Sequence, residues 1–226
     1  MRRPLIVSCT QQKHGLNTLL YTSLMAMYPK RDWPFDIHFE TSNKTGLSKA
    51  YNKFINPNIA SMHDIVMFVH DDVWIDDMQL ARKVNFAVKF KGYDIVGLAG
   101  TLNPKIQHPA LWHIMGDRQD HRGYAGHLMQ NGDKFMTGFG ISPSRVAVVD
   151  GLFVAVNIDR ALETGWKWNE NYDFHHYDIA SCLDANKKEM KIGVYPINVF
   201  HQSPGLKSLE DAAWSKNNET FLKEYA

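Results

Sequence analysis

Short apolar runs alternate with stretches of helical periodicity along the first hundred residues. The runs Leu5–Cys9 and Ile65–Val69 have the length of strands, and residues 35–40 alternate apolar with polar side chains, as half-buried strands do. Because Ile65–Val69 is apolar throughout, it has the pattern of a central strand that is covered on both faces. Between the runs, apolar residues recur every three or four positions, which predicts amphipathic helices. This alternation predicts an α/β fold built on an open, mostly parallel sheet.

The pattern changes after residue 100. Residues 100–144 contain seven glycines and three prolines and show little periodicity, so we expect a long irregular segment with a functional role. Regular structure is expected to resume with further strands and two helices. The predicted helices cover residues 16–27, 46–55, 80–88 (capped by Asp76 or Asp77), 177–190 and 208–225 (with a capping-box spacing of Ser208 and Asp211), and the later predicted strands cover residues 95–99, 146–149, 152–156 and 192–196. We place one domain over residues 1–205 and a helical tail over 206–226.

Charge and composition argue against several classes of function. The chain has 226 residues with 25 Lys and Arg against 24 Asp and Glu, a balance that argues against a broad nucleic-acid-binding face. No apolar run approaches the ~18 residues of a membrane span. Cys9 and Cys182 form no CxxC pattern, which favours buried thiols in a reducing compartment, the cytoplasm by default. The sequence also lacks the GxSxG, P-loop, HExxH and GxGxxG motifs, which lowers the odds of the corresponding enzyme classes.

The most informative polar residues follow the third predicted strand. Ligands of open α/β sheets bind beyond the carboxyl ends of the strands, and His70, Asp71 and Asp72 come directly after Ile65–Val69. Adjacent carboxylates in a partly dehydrated cleft repel one another, and a divalent cation relieves that repulsion. Oxygen ligands favour Mg²⁺ or Mn²⁺, and an imidazole shifts the preference toward Mn²⁺. The alternative, a solvated loop whose acids cap the next helix, is the interpretation we favour for Asp76 and Asp77.

Other candidates are less specific. Asp178 lies at a predicted helix start, where it is either a base facing the cleft or an ordinary first-turn acid. His201 follows the last predicted strand, and a lone histidine in such a place is more often a surface or core residue than a ligand. Trp166 and Trp168 are expected in the core, whereas Trp112 lies in the irregular segment, where it could stack on a sugar or a base.

The order of five motifs resembles the family 2 glycosyltransferases with the GT-A fold. It is most similar to their small branch related to a protein from streptomycin-biosynthesis clusters (StrF-like). The similarity spans about residues 5–205. The motifs are Asn43-Lys44-Thr45-Gly46-Leu47-Ser48-Lys49-Ala50-Tyr51-Asn52, His70-Asp71-Asp72-Val73 in the position of DxD, Asp150-Gly151, His175-His176-Tyr177-Asp178 and His201-Gln202-Ser203-Pro204-Gly205.

The resemblance implies a single GT-A domain with a mixed, mostly parallel sheet flanked by helices. It also implies metal-dependent, inverting transfer of a sugar from a nucleotide-diphosphate donor, with UDP favoured, to an unknown glycan, protein or small-molecule acceptor. Asp178 is then the catalytic base, and Mn²⁺ or Mg²⁺ is held by His70, Asp72 and His201. The implied donor-binding residues are Thr10, Glu40, Asn43, Gly46, Asn52, His70 and Asp71, and the implied acceptor-side residues are Asp150, Trp112 and His176.

Two other hypotheses stay open. A nucleotidyltransferase also combines paired acids with a metal, but it normally carries a basic, glycine-rich loop after its first strand, and residues 9–15 offer one Gly and one Lys. A non-catalytic protein that binds sugar nucleotides or glycans is the third possibility, and its best support is His70 in the place of the first DxD acid. In either enzyme or binding protein, residues 101–144 are where we expect acceptor choice to be determined.

Overall fold

The structure is a computed structural model that describes residues 2–202 and 212–226. Within those two ranges, no helix combines the length and the apolar character that crossing a membrane requires. The helices are α1 Leu19–Met27, α2 Leu47–Asn52, α3 Pro57–Met62, α4 Leu80–Lys89, α5 Trp112–Met115, α6 Ile158–Thr164, α7 Tyr177–Lys187 and α8 Ala212–Tyr225. The strands are β1 Leu5–Cys9, β2 Asp36–Glu40, β3 Ile65–Val69, β4 Val73–Ile75, β5 Ile95–Gly97, β6 Ala99–Thr101, β7 His121–Leu128, β8 Lys134–Gly138, β9 Ser144–Arg145, β10 Val148–Val149, β11 Phe153–Asn157, β12 Ile192–Val194 and β13 Val199–His201.

The larger sheet of the described residues has seven strands in the order β2-β1-β3-β11-β5-β12-β9. Strand β1 pairs in parallel with β2 and β3, and β5 pairs in parallel with β12. Strand β11 lies antiparallel between β3 and β5, and β9 is antiparallel to β12 at the edge. Two successive antiparallel pairings restore the original direction, so β5 and β12 run the same way as β1–β3. The sheet is therefore mixed and mostly parallel, and the predicted α/β class with flanking helices is confirmed.

A smaller sheet joins strands from distant parts of the chain, in the order β10-β6-β7-β13-β4, with β8 paired to β7. The prediction of one strand over 95–99 is wrong, because β5 ends at Gly97 and β6, which belongs to the smaller sheet, begins at Ala99. The prediction of an irregular segment over 100–144 is also wrong in part, because β7 and β8 form a regular hairpin there. Its strands carry few apolar positions in strict alternation, so cross-strand pairing stabilises a hairpin that periodicity does not reveal.

The core has two layers, one on each face of β3. Val66 and Phe68 pack into the layer that contains α2 and α7, whereas Met67 and Val69 pack into the layer that contains α1 and α4. All five residues of β3 are buried, which confirms the prediction of a central strand. Truncating such a buried aromatic side chain typically costs about 3–5 kcal/mol of unfolding free energy.

Polar capping residues explain where several helices begin. The predicted helix over 16–27 begins at Leu19, because the Thr18 side chain accepts a hydrogen bond from the Tyr21 amide. Helices α3 and α6 were not expected from periodicity, and both follow an asparagine cap, Asn56 and Asn157. Asparagine at such a position is itself a helix-start signal, which was available in the sequence.

Helix α8 packs against the segment that precedes α7. Phe221 is fully buried in the same core layer as α7, and the Asn217 amide donates to the His175 carbonyl oxygen. Glu224 accepts a hydrogen bond of 2.9 Å from the Tyr172 hydroxyl. The predicted capping pair Ser208 and Asp211, and the last three residues of the final motif, lie outside the described residues. The division of the chain at residue 205 stays a prediction.

Candidate functional site

Three side chains meet where β3, β4 and β13 come together. His70 and Asp72 lie in the turn between β3 and β4, and His201 ends β13, which pairs with β4 in the register His201 to Val73. The His70 amide donates to the Leu152 carbonyl, and the Gln202 amide donates to the Asp72 carbonyl, both at 3.0 Å. These backbone hydrogen bonds hold both segments in place and so position the three side chains relative to one another.

The ligand atoms of His70, Asp72 and His201 all lie within 4.8 Å of one another. The His201 Nε2 atom is 3.1 Å from Asp72 Oδ1, and the His70 Nδ1 atom is 4.0 Å from the same oxygen. Although His201 is at ion-pair distance, Asp72 Oδ1 is buried and receives no well-oriented hydrogen bond. One buried carboxylate oxygen therefore faces two imidazole nitrogens without being satisfied as an acceptor.

The hydrogen bonds of Tyr177 determine which His70 nitrogen carries the proton. The Tyr177 hydroxyl donates to the Gly151 carbonyl oxygen at 2.8 Å, so its single proton is used there. The hydroxyl oxygen lies 3.0 Å from His70 Nε2, which must then be the donor of that second bond. Burial raises the pKa of Tyr177 well above its ordinary value, so the hydroxyl stays protonated. The His70 Nδ1 lone pair is consequently free and directed toward the side of Asp72.

This arrangement fits a divalent cation. A neutral imidazole is the ligand form of histidine, and burial, with His201 acting in the same direction, lowers the pKa of His70. Burial alone would raise the pKa of Asp72, but the close contact with His201 and the charges of His201 and His70 outweigh it and lower the pKa. Two nitrogen ligands and one carboxylate oxygen suit Mn²⁺ better than Mg²⁺, which prefers an all-oxygen shell.

A cleft of about 520 Å³ opens beside this cluster, beyond the carboxyl end of β1. Four of the residues that we expected to bind a donor line it: Thr10, Asn43, Gly46 and Asp71. The other residues that line the cleft are Cys9, Gln11, Gln12, Lys44, Leu47, Asp173 and Phe174. Phe174 also stacks on His70, with ring centroids 5.9 Å apart, and so connects the cleft to the cluster.

The loop that enters α2 shapes one wall of the cleft. The Asn43 side chain accepts from the Thr45 amide and donates to the Gly46 carbonyl, which closes a tight turn. Gly46 has φ +84°, and a Cβ atom there would lie 2.8 Å from the Asp173 Cα atom. Only glycine meets both conditions, so the backbone alone requires glycine here, and a donor-binding role for Gly46 stays a prediction.

Glu40 and Asn52 lie outside the residues that line the cleft. Glu40 pairs with Lys53, and this hydrogen bond is the main cause of the lowered pKa of Glu40. Asn52 accepts from the Trp168 amide at 2.9 Å and donates to the Trp168 carbonyl at 3.0 Å. A third bond joins Asn52 to Glu170. These contacts connect α2 to the segment before α7, and a donor-binding role for either residue stays a prediction.

Two carboxylates, Asp178 and Asp150, lie on the other side of the cluster. Asp178 lies in the first turn of α7 and accepts hydrogen bonds from the Gly151 amide at 2.8 Å and the Ile179 amide at 2.9 Å. Burial, followed by repulsion from Asp150, raises the pKa of Asp178 to about 7. Asp150 also acts electrostatically on His70 and His201, which places it beside the cluster. A carboxylate with a pKa near 7 is suited to accept a proton at neutral pH.

Trp112 and His176 are more enclosed than an acceptor-binding role suggests. Trp112 is 3% exposed and packs against His121 and Phe139, so it presents no free ring face. His176 is 2% exposed beneath α8, and burial lowers its pKa to about 4. An acceptor-side role for either residue stays a prediction, and burial limits that role to shaping the wall. Trp166 and Trp168 are buried, as predicted.

Comparison with known proteins agrees with this geometry. A family model described as "Glycosyltransferase like family" matches residues 6–225. The chain belongs to this glycosyltransferase-like family. Among solved structures, the one titled "Crystal Structure of A197 from STIV" matches with a TM-score of 0.52 and 12% identity, over 89% of this chain and 94% of that one. Identity this low shows a shared fold only. No curated protein matches the sequence.

Three residues important to this glycosyltransferase-like site were not assigned a role from the sequence. Tyr177 orients His70, and Asp173 and Phe174 line the cleft. All three lie in or beside the His175-His176-Tyr177-Asp178 motif. The motif therefore indicated the segment, but not which of these residues orients His70 and which line the cleft. A tyrosine 107 positions away from its histidine partner has no signal in sequence spacing.

Proposed function

We propose that this glycosyltransferase-like protein is a metal-dependent, inverting enzyme that moves a sugar from a nucleotide-diphosphate donor to an acceptor hydroxyl. The observation that carries the proposal is the cluster of His70, Asp72 and His201 at the border between the cleft and Asp178. A donor whose nucleotide lies in the cleft would place its diphosphate at the cluster. UDP is the favoured nucleotide, in keeping with the resemblance of the motifs to the StrF-like branch.

Each part of the site has a separate task in this proposal. Thr10, Asn43, Gly46 and Asp71 border the nucleotide, with Glu40 and Asn52 holding the surrounding loops. His70, Asp72 and His201 would hold a divalent ion, which would supply positive charge where the leaving diphosphate gains negative charge. Asp178 removes the proton from the acceptor hydroxyl, and burial, together with the negative charge of Asp150, keeps the pKa of Asp178 high enough for that task.

The neutral tautomer of His70 explains how a histidine can act as a metal ligand in the position of the first acid of DxD. Its Nε2 proton is committed to Tyr177, which leaves one lone pair for a metal and one fixed ring orientation. His70 can therefore replace a carboxylate as a ligand while lowering the negative charge of the site by one. We also propose a cytoplasmic location, supported by the two free and buried cysteines.

The experiment that tests this proposal is a screen of nucleotide-sugars for slow hydrolysis, which needs no acceptor. Purified protein is incubated with UDP-, GDP- and TDP-sugars in Mn²⁺, in Mg²⁺ and in EDTA, and the free nucleoside diphosphate is measured. We expect release from one donor class, faster in Mn²⁺ and absent in EDTA. Release of pyrophosphate from a nucleoside triphosphate would instead support a nucleotidyltransferase. No hydrolysis and no nucleotide binding would contradict both enzyme hypotheses.

A further inference from the structure

The β7–β8 hairpin places an aromatic pair next to the candidate metal ligands. Strand β7 pairs in parallel with β13 in the register His127 to His201. Neighbouring strands lie about 4.8 Å apart, and paired residues share a face of the sheet. His127 is therefore the next residue across the sheet from His201, on the opposite side of β13 from β4.

His127 is held in a defined orientation by two contacts within the hairpin. Its ring stacks on Phe135, with centroids 4.6 Å apart and an interplanar angle of 18°. Its Nε2 atom lies 3.0 Å from the Thr137 hydroxyl. In the described residues, no group bonds to the Nδ1 atom, which keeps this nitrogen available for a ligand hydroxyl.

Phe135 and its neighbour Met136 point to opposite faces of the hairpin. The register pairs His127 with Phe135 and Gly126 with Met136, so alternate positions of β8 face opposite ways. One face of the Phe135 ring is covered by His127, yet the side chain is 49% exposed. An aromatic ring that is packed on one face and exposed on the other offers a flat apolar surface beside polar groups.

We propose that His127 and Phe135 form a subsite for the sugar ring of a carbohydrate acceptor. This inference rests on the proposed function, and it names the acceptor class that the sequence left open. The carbon–hydrogen face of a pyranose ring is apolar and packs on an aromatic ring, while its rim of hydroxyls needs hydrogen-bond partners. Phe135 provides the ring surface, and His127 Nδ1 provides a partner for one hydroxyl.

The location favours an acceptor over a second donor subsite. Asp150 acts electrostatically on both His113 and His127, as well as on His70 and His201. His127 and Asp150 therefore both lie near the cluster of His70, Asp72 and His201, whereas Phe174 connects that cluster to the nucleotide cleft. A sugar on Phe135 would reach the site from the side of Asp150 and Asp178, where a proton has to be accepted.

The test measures carbohydrate binding directly, without donor. Ligand-observed saturation-transfer NMR is recorded for a panel of methyl glycosides with the wild-type protein, Phe135→Ala, His127→Ala and Met136→Ala. We expect saturation transfer to the ring protons of at least one glycoside, with affinity about tenfold weaker or lost in Phe135→Ala and His127→Ala. Met136→Ala is the matched control, because it lies on the same strand, is 43% exposed and faces the other way; its binding should be unchanged. Phe135→Tyr should restore binding.

The outcomes separate this inference from the proposed function. No glycoside binding to the wild-type protein, or equal binding to Phe135→Ala and wild type, would overturn the subsite even if donor hydrolysis is found. Glycoside binding that depends on Phe135 would support the subsite even if no donor is hydrolysed, in which case the proposed transferase activity is the part that fails. Equal losses in Phe135→Ala and Met136→Ala would indicate damage to the hairpin and would also overturn the subsite.

Discussion

The two sides of the candidate site are built in different ways. On the cleft side, where we propose that the nucleotide binds, β1, β2 and β3 follow one another along the chain, pair in parallel and end in polar turns that line the cleft. On the hairpin side, β13 from near the end of the chain pairs with β7, and β7 pairs with β6, in a smaller sheet. A periodic local pattern specifies the first side, and long-range pairing of short strands specifies the second.

The two sides also differ in the surfaces that they present. Polar side chains near the cleft are used in fixed contacts, as Asn43 and Asn52 show. The region around the hairpin exposes large apolar side chains on its surface: Leu102, Ile114, Met115, Tyr124, Met129, Phe135, Met136 and Ile141. Fixed polar turns suit a constant part of a substrate, whereas an exposed apolar surface suits a variable partner. The comparison predicts that changes on the two sides affect different substrates.

The largest expected effect is on the cleft side. Asp72→Ala removes the carboxylate that faces both histidines, so Mn²⁺-dependent binding of UDP should weaken by about 100-fold or more, measured by calorimetric titration. Asp76→Ala is the control, because Asp76 lies at the other end of β4 from Asp72 and pairs with Lys134 on the surface. Unchanged Mn²⁺-dependent affinity in Asp72→Ala would refute the metal role.

A substitution at Asp178, between the two sides, should reduce sugar transfer without reducing donor binding. Asp178→Asn keeps the size of the side chain but cannot accept a proton, so we expect transfer to fall by about 100-fold or more while UDP affinity stays within twofold. Rates are measured with the donor found by hydrolysis. Turnover near that of the wild type would remove Asp178 as the base and shift the assignment to Asp150, which Asp150→Asn would then test.

Tyr177→Phe tests the link between the two sides through His70. The change keeps the buried ring but removes the hydroxyl that holds His70 Nε2, so Mn²⁺ affinity should weaken by about tenfold. Electron paramagnetic resonance measures free Mn²⁺ during the titration. Tyr225→Phe, whose hydroxyl bonds the Ala180 carbonyl beneath α8, serves as the control. Equal affinity in Tyr177→Phe and wild type would show that the tautomer of His70 is set in another way.

The pH dependence follows from the pKa of Asp178, which is raised from 3.8 to about 7. The base must be ionised, so transfer should rise about tenfold as pH increases from about 6 to 8 and then level off. The free energy of unfolding changes in the opposite direction and falls as pH increases, because the folded state favours the protonated form of Asp178. That stabilisation is complete below the unfolded pKa and is lost as pH rises through about 7. A transfer rate independent of pH across this range would contradict the proton-accepting role.

The smallest effect on activity is expected for Asn52→Ala. The loss of its bonds to Trp168 should lower the free energy of unfolding by about 1–3 kcal/mol, seen as a lower Tm. We expect UDP affinity to stay within twofold, since Asn52 does not line the cleft. A tenfold loss of affinity with unchanged Tm would instead support direct donor binding by Asn52.

Much of the cleft side could be predicted from the sequence. The apolar run of β3 predicted a strand buried on both faces, and the polar residues that follow it predicted the location of His70 and Asp72. The reason is physical: the period of a strand and the edge where ligands bind are both local properties of the chain. The turn at Gly46 has the same local character.

The hairpin side could not be predicted to the same degree. Strand β13 has three residues and β10 has two, which is too short for any periodic signal, and their positions depend on partners that are far away in sequence. The stack of His127 on Phe135 depends on hairpin register, and the His70–Tyr177 bond joins residues 107 positions apart. Such contacts are properties of the assembled sheet.

The most direct test of the central claim is to locate a metal in the site. Crystals of the protein grown with Mn²⁺ and UDP are measured at a wavelength where manganese scatters anomalously. We predict one anomalous peak bounded by His70 Nδ1, Asp72 Oδ1 and His201 Nε2, with the UDP diphosphate beside it and the uridine in the cleft next to Thr10. UDP bound in the cleft with no peak between these three atoms would contradict the account.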